Sequence, residues 1–184
     1  MGLLQPNQDV PFNITRLSHV CLTSRDLEKT RYFYQSGLGL EVTGQDETHL
    51  YLRAIEEAGH HSIVFEKVQS DQPGMCRAVT YRMYQDDDIK RAHDWFNLKG
   101  YSANFVDRDH QGLTLRLTDA VGVPIEFCAT MDQSENQMRH FHTHRGARLS
   151  FLDHIQIATH DVQAAYQFYN DLGFRMFKPK MLFR

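Results

Sequence analysis

His19 and His154 are the residues whose placement most invites chemistry, because each stands at the same point of a segment that occurs twice. The first copy runs Leu17-Ser18-His19-Val20-Cys21-Leu22, then Asp26-Leu27, Phe33-Tyr34 and Leu38-Gly39-Leu40. The second runs Leu152-Asp153-His154-Ile155-Gln156-Ile157, then Asp161-Val162, Phe168-Tyr169 and Leu172-Gly173-Phe174. A repeat of this kind marks a duplicated structural unit. A histidine between apolar neighbours on a strand is a metal ligand in one setting and a hydrogen-bonded core residue in another. Asp153 reads as a local hydrogen-bonding residue. His140, His142 and His144 alternate, so an extended chain would place them on one side. No carboxylate or cysteine stands near them and Arg139 and Arg145 flank them, so a solvated linker is expected there. His60 and His61 open a strand and read as structural.

The elements that must position these side chains follow from periodicity and punctuation. Residues 16–22 alternate and are rich in β-formers. Ser24 and Asp26 can cap a helix carrying Leu27, Tyr32, Phe33 and Tyr34, which the Gly37-Leu38-Gly39 turn ends. Strands are expected at about 39–44, 48–54 and 61–67, completing a β-α-β-β-β unit. Beyond Pro73-Gly74 the pattern returns. A strand at 76–83 precedes a helix that begins at the acidic run 86–88, where negative charge suits the helix dipole, and runs to Lys99. Strands then fit at about 101–106, 113–118 and 123–128. This gives one domain over residues 14–130, a connector over 131–149, and a third unit that starts at Ser150 and is incomplete at Arg184. A single module would leave one sheet face without cover, so pairing of modules is expected.

Bulk properties narrow the function classes. The 184 residues carry a formal net charge of −3, which provides no electrostatic case for nucleic acid or an anionic membrane. Residues 1–14 lack a basic stretch leading into an apolar run, so no secretory signal is read. Cys21, Cys76 and Cys128 are odd in number and widely spaced. They read as buried free thiols of a reducing cytoplasm.

The order and spacing of several segments carry a resemblance. These are Asp46-Glu47-Thr48-His49-Leu50-Tyr51-Leu52-Arg53, His60-His61-Ser62-Ile63-Val64, Gly122-Val123-Pro124-Ile125-Glu126-Phe127 and Leu152-Asp153-His154. Over residues 14–178 the chain resembles the N-terminal half and domain junction of type I extradiol ring-cleaving dioxygenases of the vicinal oxygen chelate superfamily, nearest the homoprotocatechuate (3,4-dihydroxyphenylacetate) 2,3-dioxygenase branch. The resemblance implies an α+β fold of paired β-α-β-β-β modules, like glyoxalase and bleomycin-resistance proteins. It implies a non-catalytic N-terminal domain and a catalytic C-terminal one, whose first metal ligand matches His154. The metal would be Fe(II), with Mn(II) as an alternative, and the partners a catecholic substrate and O2 in a homo-oligomer. A second histidine and a glutamate would come from beyond Arg184. Two imidazoles and one carboxylate hold Fe(II) on one face and leave open positions, whereas one ligand binds iron weakly.

By the same resemblance Gln156 lies where an amide touches bound substrate, although a polar residue on a strand's solvent face fits it equally. In the first domain His19 and Glu126 match ligand positions. The middle position falls near Arg77-Ala78 and holds no histidine, so His19 and Glu126 are expected to be remnants or structural residues. Two other readings stay open. One is a non-catalytic module that holds a small aromatic ligand on its concave sheet or packs subunits. The other is a different metal enzyme of the superfamily.

Overall fold

The structure, a computed structural model, describes residues 8–175. Eight strands form one sheet: β1 (Ile14–Ser24), β2 (Glu41–Gln45), β3 (His49–Arg53), β4 (Ile63–Lys67), β5 (Cys76–Met83), β6 (Asn104–Val106), β7 (Thr114–Thr118) and β8 (Pro124–Cys128). Their spatial order is β2-β3-β4-β1-β5-β8-β7-β6. Read by position within each module, the second half is the first half in mirror order. The axis of this pseudo-symmetry runs between β1 and β5, which pair antiparallel. Within each module the first strand pairs parallel to the last, β1 with β4 and β5 with β8.

The helices cover one face. α1 (Leu27–Arg31) begins at Asp26, whose carboxylate accepts the Lys29 amide, and continues as a π-helical turn over Tyr32–Gly37. α2 (Asp86–Leu98) lies over the second module. Strand alternation sends Leu50, Leu52 and Phe65 into a core with Leu27 and Leu40. In the second module Val79, Leu115, Ile125 and Phe127 meet Ile89, Ala92 and Phe96 of α2. The residues between them on the same strands therefore point to the opposite, concave face. These are His49 and Tyr51 on β3, Val64 and Glu66 on β4, Arg116 on β7 and Glu126 on β8.

The sequence-based expectations are met for all eight strands and for α2, within a few residues at each end. The acidic start of α2 does more than face the helix dipole. Asp88 is fully buried, because its Oδ1 accepts from the Asn13 amide and side chain and from Arg91. The connector departs from expectation. Its backbone is docked on the first module: Ala147 N–H donates to the Gly37 carbonyl and Leu149 N–H to the Leu38 carbonyl, while Ile55 N–H donates to the Leu149 carbonyl. The approach is close enough that a Cβ at Gly39 would run into the Arg145 carbonyl, and one at Gly146 into the Gly37 carbonyl. Arg53, buried against Glu41 and the Glu57 and Glu135 carbonyls, ties the connector's start to β3.

The strand expected at residues 152–157 is not formed. Residues 151–159 make no ladder, because a strand needs a partner edge and none among the described residues flanks them. The helix after it is formed: α3 (Val162–Asp171) is capped by Asp161, which accepts the Ala164 amide. Phe168 of α3 and Leu172, its C-cap residue, are buried in the second module's core, with Phe168 stacked 6.2 Å from Phe96.

Candidate functional site

The concave face holds a cavity of about 490 Å³ lined from both modules. One wall is aromatic and soft. His49 and Tyr51 of β3 stack at 5.9 Å, His61 lies 5.3 Å from Tyr51, and His19 meets His61 edge-on at 4.6 Å. Burial, then Arg82, takes His19 down to about 3, and burial, then His19, takes His61 down to about 2. Both imidazoles are therefore neutral near pH 7. Cys21, on the cavity floor, is pushed up to about 12, by burial first and then by Glu66, so it is an inert thiol and no nucleophile. At the mouth, the loop after β6 reaches across to the first module. His110 stacks on His60 with ring centroids 3.6 Å apart, and Tyr51 donates to Asp109 at 3.4 Å.

The opposite wall is charged. Cross-strand register places His19 of β1 opposite Thr80 of β5, and Thr80 in turn opposite Glu126 of β8. These three form a row across adjacent strands, with His19 and Glu126 both on the cavity wall. The middle position between the two candidate ligands is thus Thr80, three and two residues beyond the Arg77-Ala78 expected from sequence. The β1 bulge between Leu17 and His19 helps set this register, which spacing alone does not reveal. Thr80 Oγ1 is buried without a hydrogen-bond partner. Glu126, 1% exposed, accepts from two guanidiniums: Arg108 Nη2 and Arg116 Nη1 each lie 2.6 Å from Oε1. Two cations on the one carboxylate oppose a metal ion there. Among the described residues no group of three His, Cys, Asp or Glu side chains is arranged to hold a metal ion.

A model of the glyoxalase/bleomycin resistance protein/dioxygenase superfamily matches residues 16–127, the span that builds this sheet and its cavity. The chain belongs to that superfamily. Among its relatives there is a metapyrocatechase from Geobacillus stearothermophilus, 26% identical over 180 residues, covering 92% of this chain and 54% of the relative. Homoprotocatechuate 2,3-dioxygenase from Brevibacterium fuscum, solved as a complex with 3,4-dihydroxyphenylacetate, superposes with a TM-score of 0.84 at 30% identity, covering 94% of this chain and 54% of that one. The enzyme from Arthrobacter globiformis gives the same TM-score at 29% identity. The chain spans about half the length of these relatives. Its relatives within the superfamily are thus extradiol dioxygenases.

The second candidate position of this superfamily member lies apart from the cavity. His154 is 83% exposed and its Nδ1 is 2.9 Å from Asp153 Oδ2, and Gln156 is exposed as well. The two share the exposed side of the stretch 154–157, in which Ile155 and Ile157 are the half-buried residues. One exposed imidazole beside one carboxylate does not fit Fe(II) by itself. The histidine tract of the connector is engaged locally rather than solvated throughout: His140 Nδ1 contacts Gln137 Oε1 and His144 Nε2 contacts the Gln137 carbonyl. Arg108, Arg116, Tyr51 and Thr80 were not singled out by sequence reasoning. A signal for three of them exists, since Tyr51, Thr80 and Arg116 each stand between two core residues of an alternating strand. Arg108 lies in a loop, where alternation says nothing.

Proposed function

We propose that this chain is the scaffold domain and the opening of the catalytic domain of an extradiol dioxygenase. In the whole protein a catecholic ring, with 3,4-dihydroxyphenylacetate the preferred substrate, is opened next to its hydroxyl pair using Fe(II) and O2. The observation that supports this division is the His19–Thr80–Glu126 row. The superfamily's ligand row is present in outline, but its middle place is a threonine and its carboxylate is neutralised by Arg108 and Arg116. Among the described residues no such arginine pair meets His154, the other copy of the repeated histidine. In this reading His154 is the first iron ligand and Gln156 faces substrate, once further strands supply a second histidine and a glutamate.

The experiment compares the 184-residue chain with one prolonged by the downstream reading frame. Each is loaded anaerobically with Fe(II), mixed with 3,4-dihydroxyphenylacetate and exposed to O2. The prolonged chain is expected to consume O2 with the substrate and the 184-residue chain is not. Substrate-dependent O2 uptake by the 184 residues alone would sink this division of labour.

A further inference from the structure

We propose that Glu57 is a positioning residue: its carboxylate holds the Leu152 amide and so sets how the segment carrying His154 and Gln156 enters the next domain. The consequence for chemistry rests on the division of labour proposed above, whereas the placement itself is a property of this chain. Glu57 lies in the turn after β3, in the first module. Its main chain is held twice, by its own N–H on the Ala54 carbonyl at 3.3 Å and by Arg53 Nη1, which donates to its carbonyl at 2.6 Å. Arg53 is buried and ion-paired with Glu41, so the turn is anchored from beneath.

The Glu57 side chain then reaches in two directions. Oε2 accepts the Ala54 N–H at 2.8 Å, and Oε1 accepts the Leu152 N–H at 2.9 Å across 95 residues of chain. Both partners are backbone donors, so the side chain between them must offer two acceptors. A carboxylate does, while an amide offers one and turns its NH2 against the other donor. Its charge also strengthens both contacts. The Ile55 and Glu56 N–H groups donate to the Leu149 and Ser150 carbonyls, so the turn first receives the connector by backbone. Glu57 continues that series by side chain. Among the described residues, its bond to Leu152 is the last that the first module makes with the chain before His154. Just beyond His154, Ile155 packs against the second module's core. His154 therefore stands between two supports, one from each module, although its own side chain is exposed. Residues 151–159 make no ladder, so these supports take the place of strand pairing.

The test is hydrogen exchange of single amides in the 184-residue chain, followed by NMR. The Leu152 amide is expected to be protected in the wild type. Glu57→Met, which keeps the length without an oxygen acceptor, is expected to speed its exchange by about tenfold or more, while the Glu56 and Leu149 amides keep their protection. Glu57→Gln is expected to protect one of the two amides, Ala54 or Leu152, and to expose the other. In the prolonged chain loaded with Fe(II), Glu57→Met is expected to lower kcat for 3,4-dihydroxyphenylacetate-dependent O2 uptake by about tenfold, with KM and the melting transition unchanged, because misplacement of a reacting group costs rate. An unprotected Leu152 amide in the wild type, or unchanged Leu152 protection in folded Glu57→Met, overturns the proposal. So does equal loss at Glu56, Leu149 and Leu152, which marks an ordinary stabilising contact, and so does full kcat in Glu57→Met. If Glu57→Met does not fold, Glu57→Gln decides, since unchanged protection of both its amides is equally fatal. Absence of O2 uptake by the prolonged wild type would count against ring cleavage alone, and exchange at Leu152 would still decide the placement.

Discussion

His19 and His61 are the residues whose burial has the largest thermodynamic consequence. Each is nearly inaccessible, His61 Nε2 finds no hydrogen-bond partner, and burial holds both neutral far below their ordinary value of 6.5. Above pH 6.5 neither the folded nor the unfolded chain protonates them, and their contribution to stability is fully present. Below it the unfolded chain binds two protons that the fold refuses. Stability therefore falls by roughly 3 kcal/mol per pH unit from the pair as pH drops toward their folded values. Urea midpoints measured from pH 7 to pH 4 are expected to drop steeply below pH 6, and His61→Asn to roughly halve the slope. A flat profile would show that the imidazoles titrate normally in the fold. These histidines were legible as strand-face residues, but not as neighbours. Their contact depends on β1 pairing with β4, a long-range register invisible in local sequence.

At the scale of elements, α3 was legible in full: the Asp161 cap, the apolar spacing of Phe168 and Leu172, and the Gly173 stop all lie in the sequence. What it packs against was not legible. Its burial against Phe96 and Tyr101 joins it to the second module. Phe168→Ala is accordingly expected to cost about 3 kcal/mol of global stability, at the lower end for a buried phenylalanine because the helix lies near the core's edge. Chemical denaturation followed by Trp95 fluorescence measures it. A change under about 0.5 kcal/mol would mean that α3 is only loosely attached. The segment before it shows why pattern is insufficient for a strand. Residues 154–157 keep the alternation, yet a helix closes its own hydrogen bonds and a strand depends on an edge supplied from elsewhere.

For the whole molecule, the mirror order of strands makes β1 and β5 a shared seam. Neither module has an independent first strand, since β1 pairs with β4 on one side and β5 on the other. Unfolding is expected to be a single transition. The lone tryptophan, Trp95 on α2, reports on the second module, and far-ultraviolet circular dichroism reports on both. Their denaturation curves are expected to coincide, and an earlier or later tryptophan curve would reveal modules that part separately. The paired-module fold was legible because each module repeats one sequence rhythm. The charged wall of the cavity was not, because Arg77, Arg108 and Arg116 come from three separate places and meet only once the sheet curves.

The contact between the connector and the Leu38-Gly39 turn also has a directional consequence. Gly39 has φ of +80°, and the backbone of residues 145–147 rests directly on the turn it makes. The turn thus works as a jig, fixing the bearing on which residues 150–159 depart from the sheet. Bulk introduced at Gly39 would re-aim His154 without touching it, so the first module governs where the second copy of its own histidine is pointed.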